Sequence, residues 1–288
     1  PFVVTIHDLI KHYFKGMATT TRQPWTYFFK YLAYKKVFKN AVKKAGRVIV
    51  PSQAVKEQLL ENYFLENDKI RVVYEGVGAK FRIKNLKLKI KTEKSDILEK
   101  YKIKKPYFIY TGNVYPHKNL RRLILAVKAL NNLLIINRQS PITLVIVCSR
   151  DVFWHRLRNT IKEFSVGKFV NLIGFVPDRE LRIIYNQALS FVSSSLMEGF
   201  GLPGLEAMAS SCLVSCSNIK VFREIYQKAA FYFNPKDVSD IKDKLLQITK
   251  LSSKKREELI KKGRKQAEKY SWKECAQKTL EIYKGVSL

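Results

Sequence analysis

Short apolar runs suited to β-strands alternate with longer stretches of helical periodicity along most of the chain, and they do so in two series. The first has strand-like runs near 2–6, 47–50 and 70–74, with helical stretches at about 25–45 and 52–65. The second has strand-like runs near 107–111, 143–148, 170–175, 190–194, 212–216 and 230–233. Helical stretches fill its gaps; one at 120–131 carries apolar residues at three- and four-residue spacing. A strand that returns through a helix pairs in parallel with its predecessor, and helices then cover both faces of the sheet. The chain therefore reads as α/β, with two doubly wound domains. In such folds ligands bind beyond the carboxyl ends of the strands, so functional residues are expected in strand-to-helix loops.

The basic stretch at 80–94 has no clean apolar face and reads as an interdomain linker. The resulting expectation is a partial N-terminal domain over 1–93, a C-terminal domain over 94–270 and a closing helix over 271–288. The chain opens on Pro1-Phe2-Val3-Val4-Thr5-Ile6, a strand-like run without an initiating Met. We expect upstream residues, and hence an incomplete first domain.

A chain of 288 residues, 46% of them hydrophobic, can bury two ordinary cores. No apolar run approaches the ~18 residues of a membrane-spanning helix. Cys148, Cys212, Cys216 and Cys275 lack metal-ligand spacing, and Cys148 and Cys212 sit in apolar runs as reduced core residues; that fits a cytoplasmic setting. The charge balance is unusual: 54 Lys and Arg against 24 Asp and Glu, a net +30. Such a surplus attracts anionic partners. It is spread along the chain without a nucleic-acid module, so no nucleic-acid partner is expected. One helical stretch interleaves Lys30, Lys35, Lys36, Lys39, Lys43 and Lys44 with apolar residues 25, 28, 29 and 32 on one face. That face reads either as core-packed below a solvated Lys surface or as a rest on anionic lipid.

Three loops carry candidate chemistry. The richest runs from Ser193 through Glu198-Gly199-Phe200-Gly201-Leu202-Pro203-Gly204 to Glu206 and leads from a strand into a helix. Its glycines allow close approach of a ligand to the backbone, and the helix start can attract phosphate. Glu198 and Glu206 are acceptor-only groups that suit sugar hydroxyls. Gly199-x-Gly201-x-x-Gly204, with Glu224 farther on, also spells a dinucleotide fingerprint, although that motif belongs in the first strand–helix turn of its domain. The second loop holds Gly112, Asn113 and Lys118, the last a point charge suited to a diphosphate. The third is Thr5-Ile6-His7-Asp8, where His7 could bond a ligand in an interdomain cleft. No Asp-x-Asp and no His/Cys cluster occurs, so no metal is expected.

Together, Thr5-Ile6-His7-Asp8, Val50-Pro51-Ser52, Gly112-Asn113 with Pro116-His117-Lys118-Asn119-Leu120, Gly174-Phe175-Val176-Pro177-Asp178, the Glu198-to-Glu206 segment and Tyr270-Ser271-Trp272 resemble glycosyltransferase family 4. The resemblance implies the GT-B fold, two Rossmann-like domains with a cleft between them. It implies a retaining, metal-independent hexosyltransferase, for instance a mannosyltransferase, working on cell-surface polysaccharide. Its donor would be a UDP- or GDP-linked sugar and its acceptor a glycan or lipid-linked glycan, with no cofactor. Such an enzyme would be cytoplasmic, or peripheral on the inner face of the membrane. His7, Lys118 and Glu198 would be the catalytic set. Lys118 would neutralise the leaving diphosphate, and His7 would face the sugar. Glu198, with the backbone of Gly199, Phe200, Gly201 and Leu202, would hold the donor sugar. Glu206 would hold the ribose, and Gly112 and Asn113 would complete the donor site.

The chain departs from the family where Ser211 replaces a usual Gly, Leu213 a usual Pro, and Gln227-Lys228 a usual Gly-Asp pair; many members also carry Arg where Asn113 stands. Two rivals stay open: a non-catalytic sugar-nucleotide-binding remnant and an NAD-dependent oxidoreductase.

Overall fold

The computed structural model describes residues 1–16, 19–82 and 96–286. The first lobe contains β1 (Val3–Thr5), α1 (Ile10–Tyr13), α2 (Pro24–Lys44), β2 (Arg47–Val50), α3 (Gln53–Tyr63) and β3 (Ile70–Val72). Its described strands form a parallel sheet in the order β1-β2-β3, with Val3 opposite Arg47 and Val48 opposite Ile70. Leu9, Val42, Val48, Val50, Val55, Leu59 and Ile70 pack into its core.

The second lobe contains β4 (Tyr107–Thr111), α4 (Leu120–Ile136), β5 (Thr143–Val147), α5 (Val152–Glu163), β6 (Val170–Ile173), α6 (Asp178–Gln187), β7 (Ser190–Ser193), α7 (Leu202–Ala209), β8 (Val214–Ser217), α8 (Lys220–Tyr226) and β9 (Phe231–Phe233). Its parallel sheet runs β6-β5-β4-β7-β8-β9. All five residues of β4 are buried. Side chains alternate across a strand, so Phe108 and Tyr110 join Leu123, Ile124 and Val127 on one face. Tyr107 and Ile109 join Ile184, Leu205 and Met208 on the other. The strand order reverses between β4 and β7, and a crevice opens at such a switch point. The loops leaving those two strands are the Lys118 loop and the Glu198 loop.

Helices α9 (Val238–Thr249), α10 (Ser253–Glu268) and α11 (Trp272–Lys284) follow. The chain entering α11 presses against the first lobe: a Cβ on Gly76 would stand 2.0 Å from the Trp272 amide nitrogen, so only glycine fits there. Tyr283 and Val286 reach the start of β1.

Two expectations are corrected. The apolar face of α2 is not core-packed: Trp25 is 78% and Phe29 64% exposed, and Phe28 and Leu32 are exposed as well. The helix buries Phe38 and Val42 instead. Its inward face is the row Tyr27, Tyr31, Tyr34, Phe38, Val42, about a third of a turn away at ~3.6 residues per turn. The linker reading also fails at its start. Ala79–Phe81 is a 3-10 turn, Phe81 is buried in the second lobe's core, and Lys80 pairs with Asp178 at 2.6 Å. The remainder of that stretch, 83–94, lies outside the described residues.

Candidate active site

The Lys118 and Glu198 loops are tied to one another by backbone-directed bonds. Asn119 adopts a left-handed conformation at the start of α4, and its amide donates to the Ser194 and Pro235 carbonyls at 3.1 and 2.7 Å. The Ser194 hydroxyl donates to the Lys118 carbonyl at 2.9 Å, and the Leu196 amide to the His117 carbonyl at 2.8 Å. Held in this way, Lys118 Nζ lies 2.7 Å from Glu198 Oε1, with each side chain only 14% exposed. The Ser195 hydroxyl donates to the same oxygen at 2.7 Å. His117, buried beside them, is pushed down to about 4, first by burial and then by Lys118, and is therefore neutral near pH 7.

The first lobe meets the Glu198 loop directly. A Cβ on Gly199 would lie 2.0 Å from the His7 carbonyl oxygen. Ser52 caps α3 by accepting from the Val55 amide, and its hydroxyl donates to the Gly199 carbonyl at 2.8 Å. Glu224 on α8 accepts from the Gln53 and Ala54 amides at 2.7 and 2.9 Å, so a second-lobe carboxylate satisfies the free N–H groups that open α3. Gly201 has φ +99°, and its carbonyl accepts from Tyr226 at 2.6 Å. Phe200 is buried against Tyr74 and Tyr270.

Asn113, Lys118, Glu198 and Gly199 line one cavity of ≈ 630 Å³ between the lobes. Its first-lobe side is built by α1, α2 and the chain between them. His7, Gly112, Phe200, Gly201, Leu202 and Glu206 lie outside that lining. His7 is exposed and holds Glu75 Oε1 at 3.0 Å. Gly112, at φ +134°, turns the chain out of β4. Glu206, half-buried on α7, is pushed up to about 7, chiefly by desolvation and further by Asp178, with Lys80 opposing. Among the described residues, no group of three His, Cys, Asp or Glu could hold a metal ion. The sequence reading missed Ser195, Glu75 and the cross-lobe roles of Ser52 and Glu224. It also missed Tyr27, Tyr31 and Tyr34 as cavity residues, although their spacing of four and three places them on one helical face.

The profile of the glycosyl transferases group 1 family matches residues 91–266, and that of glycosyltransferase family 4 matches residues 1–80. The chain belongs to the group 1 glycosyltransferases. The relatives of this group 1 member include O-antigen chain mannosyltransferase RfbU of Salmonella typhimurium, 30% identical over 81% of this chain and 57% of that protein. O-antigen chain mannosyltransferase B of Escherichia coli is 33% identical over 65% of this chain and 48% of that protein. The chain thus spans about half the length of these curated relatives. A glycosyltransferase from Rickettsia africae shares its fold at a TM-score of 0.74 and 21% identity, over 99% of this chain and 70% of that one. Anabaena Alr3699/HepE in complex with UDP and glucose does so at a TM-score of 0.76 and 16% identity, over 99% and 71%. The architecture is GT-B. Family membership sets aside the dinucleotide reading of the glycine-rich loop, which in this group 1 fold leaves the fourth strand of its sheet, not the first.

Proposed function

We propose that this chain carries the donor site of a retaining hexosyltransferase. It moves a sugar, mannose first among candidates, from a UDP- or GDP-linked donor to a glycan or lipid-linked acceptor in cell-surface polysaccharide synthesis. The observation that carries this reading is the Lys118–Glu198 pair, fixed at 2.7 Å at the junction of the two switch-point loops and open to the interlobe cavity. The names of the mannosyltransferase relatives support the sugar.

The reaction breaks a sugar–phosphate bond, and charge grows on the departing diphosphate. In the donor-free chain the Lys118 ammonium is neutralised by Glu198. An arriving diphosphate offers it a stronger anion and releases Glu198, still held by Ser195, toward the sugar hydroxyls. A preorganised cation that strengthens its interaction as charge develops stabilises the transition state more than the ground state. His7, steered by Glu75, faces the sugar from the first lobe, and Glu206 takes the ribose. The charge compensation comes from protein groups, so the reading is metal-independent, and no organic cofactor enters. The enzyme works on the cytoplasmic side, resting through the exposed face of α2 on an anionic membrane surface where a lipid-linked acceptor is presented.

A thermal-shift screen of UDP- and GDP-sugars followed by transfer assays tests the proposal. Stabilisation by one nucleotide-sugar, lost in Glu206→Gln, is the expected result. No stabilisation by any of them would refute the donor site.

A further inference from the structure

His117 stands one place before Lys118, in the 3-10 turn Pro116–Lys118. Its backbone is fixed: the carbonyl accepts from the Leu196 amide at 2.8 Å, and the Lys118 and Asn119 amides close the turn on the Tyr115 and Pro116 carbonyls at 2.9 and 3.0 Å. The side chain lines the interlobe cavity together with Lys118, Glu198 and Asp8, yet the residue is only 6% exposed. Aromatic neighbours from both lobes steady the ring, Phe14 of the first at 5.8 Å between centroids and Tyr115 of the second at 6.1 Å. Among the described residues no hydrogen bond reaches either ring nitrogen. The other three histidines differ: His7 bonds to Glu75, His12 lies between the Tyr34 and Tyr63 hydroxyls, and His155 is exposed. An unpartnered polar group at this depth carries an uncompensated desolvation cost, which a ligand seated in the cavity would relieve.

We propose that His117 is a donor-sugar contact: its uncharged imidazole hydrogen-bonds a hydroxyl of the transferred hexose, beside Glu198, and leaves the diphosphate to Lys118. The inference rests on the transferase reading and adds to its donor site a residue that determines specificity. Two observations favour sugar over phosphate. Burial first, and Lys118 next, hold the ring down at about 4, so near pH 7 it has no charge to offer an anion. A neutral imidazole carries one N–H and one bare nitrogen. That pair matches a hydroxyl, which both gives and takes, whereas diphosphate oxygens only accept. The second observation is position. Glu198 of one lobe and Asp8 of the other both act on the ring. An anion between them would be repelled, and a sugar rich in hydroxyls would not.

The test is calorimetric titration of the full chain with GDP-mannose and UDP-glucose, each compared with its bare nucleoside diphosphate. His117→Phe keeps a planar ring and removes both nitrogens. It should weaken the sugar nucleotide that the parent binds by about tenfold, the loss of one hydrogen bond with its partner left unpaired, and leave the bare diphosphate within about twofold. His117→Gln restores a donor and an acceptor without charge and should stay within about threefold of the parent for both ligands. A second readout needs no variant at the decisive step. The ring nitrogen resonances of His117, assigned by their loss in His117→Gln, should differ between the parent saturated with the sugar nucleotide and the parent saturated with the diphosphate.

Equal weakening of sugar nucleotide and diphosphate in His117→Phe would overturn the proposal, since the ring would then serve the phosphate or only the shape of the loop. Unchanged affinity for both would overturn it too, as would a His117→Gln variant no better than His117→Phe. If His117→Phe does not fold, the resonances decide, and identical ring nitrogen shifts in the two saturated forms overturn the contact. Each of these results leaves the donor site standing. A parent that binds neither the sugar nucleotides nor the diphosphates refutes the transferase reading itself.

Discussion

At the scale of single residues, the site rests on two carboxyl groups in different surroundings. Glu198 is ion-paired and accepts from Ser195, whereas Glu206 is desolvated, has no ion pair among the described residues, and is pushed up to about 7. Only the ionised form of Glu206 can accept from both ribose hydroxyls. Donor affinity should therefore rise with pH through about 7 and level off above it, and Glu206→Gln should bind more weakly with a flat profile. A parent profile that is flat from pH 6 to 8 would contradict this. The stability trend has the opposite sign. The folded state holds this proton more tightly than the unfolded state, where the ordinary value is 4.5, so the contribution is full below 4.5 and is lost as pH rises through about 7. His117, held near 4, stays neutral over that range. For Lys118→Ala we expect kcat to fall by roughly two orders of magnitude or more, with a much smaller loss of donor affinity. An unchanged kcat would remove its catalytic role.

At the scale of elements, two turns carry strain that composition does not reveal. Ser211, just past α7, has φ +63°, and Gln227, just past α8, has φ +49° with ψ −128°. Both stand where the family usually has glycine, and a side chain in this region costs about 1–2 kcal/mol per residue. Ser211→Gly and Gln227→Gly should each raise stability by about 0.5–1 kcal/mol, after allowance for glycine's greater unfolded-state freedom. Denaturant melts read this directly, and a loss of stability in both would show that these turns are not strained.

Helix α2 has a different asymmetry. The tyrosines of its inward row line the cavity, while Trp25, Phe28 and Phe29 are exposed near a run of lysines. Sedimentation with vesicles should show binding to anionic but not neutral lipid, with each lysine contributing about 1 kcal/mol at low salt. Lys36→Glu/Lys39→Glu should weaken that binding without lowering the melting temperature. Equal binding to neutral vesicles would leave the charge without a role there.

At the scale of the whole molecule, the lobes are latched through α3. Glu224 accepts from its first two amides, and Ser52 ties its cap to the Gly199 carbonyl. Removing a helix-capping acceptor costs about 0.5–2 kcal/mol, and here the loss falls on an interlobe contact. Glu224→Ala should enlarge the donor-free radius of gyration in solution scattering, and saturating donor should reverse much of the change. Identical scattering from parent and variant would mean that other contacts hold the lobes.

The sequence by itself determined the strands, their parallel pairing and the loops that hold Lys118, Glu198 and Glu206. The order of strands and helices is written in local periodicities of two and 3.6 residues, and each of the nine expected strand-like runs overlaps an observed strand by three or more residues. The tertiary structure alone decided what lies far apart in sequence and close in space. The Lys118–Glu198 bond spans 80 residues, and the bond from the Gln53 amide to Glu224 spans 171. It also decided which face of α2 turns inward. The apolar pattern at 25, 28, 29 and 32 is as regular as a core face, but among the described residues the first lobe's core takes in Tyr34, Phe38 and Val42 of the helix instead. Periodicity shows that a helix has an apolar side; only the packing of its neighbours determines what that side meets.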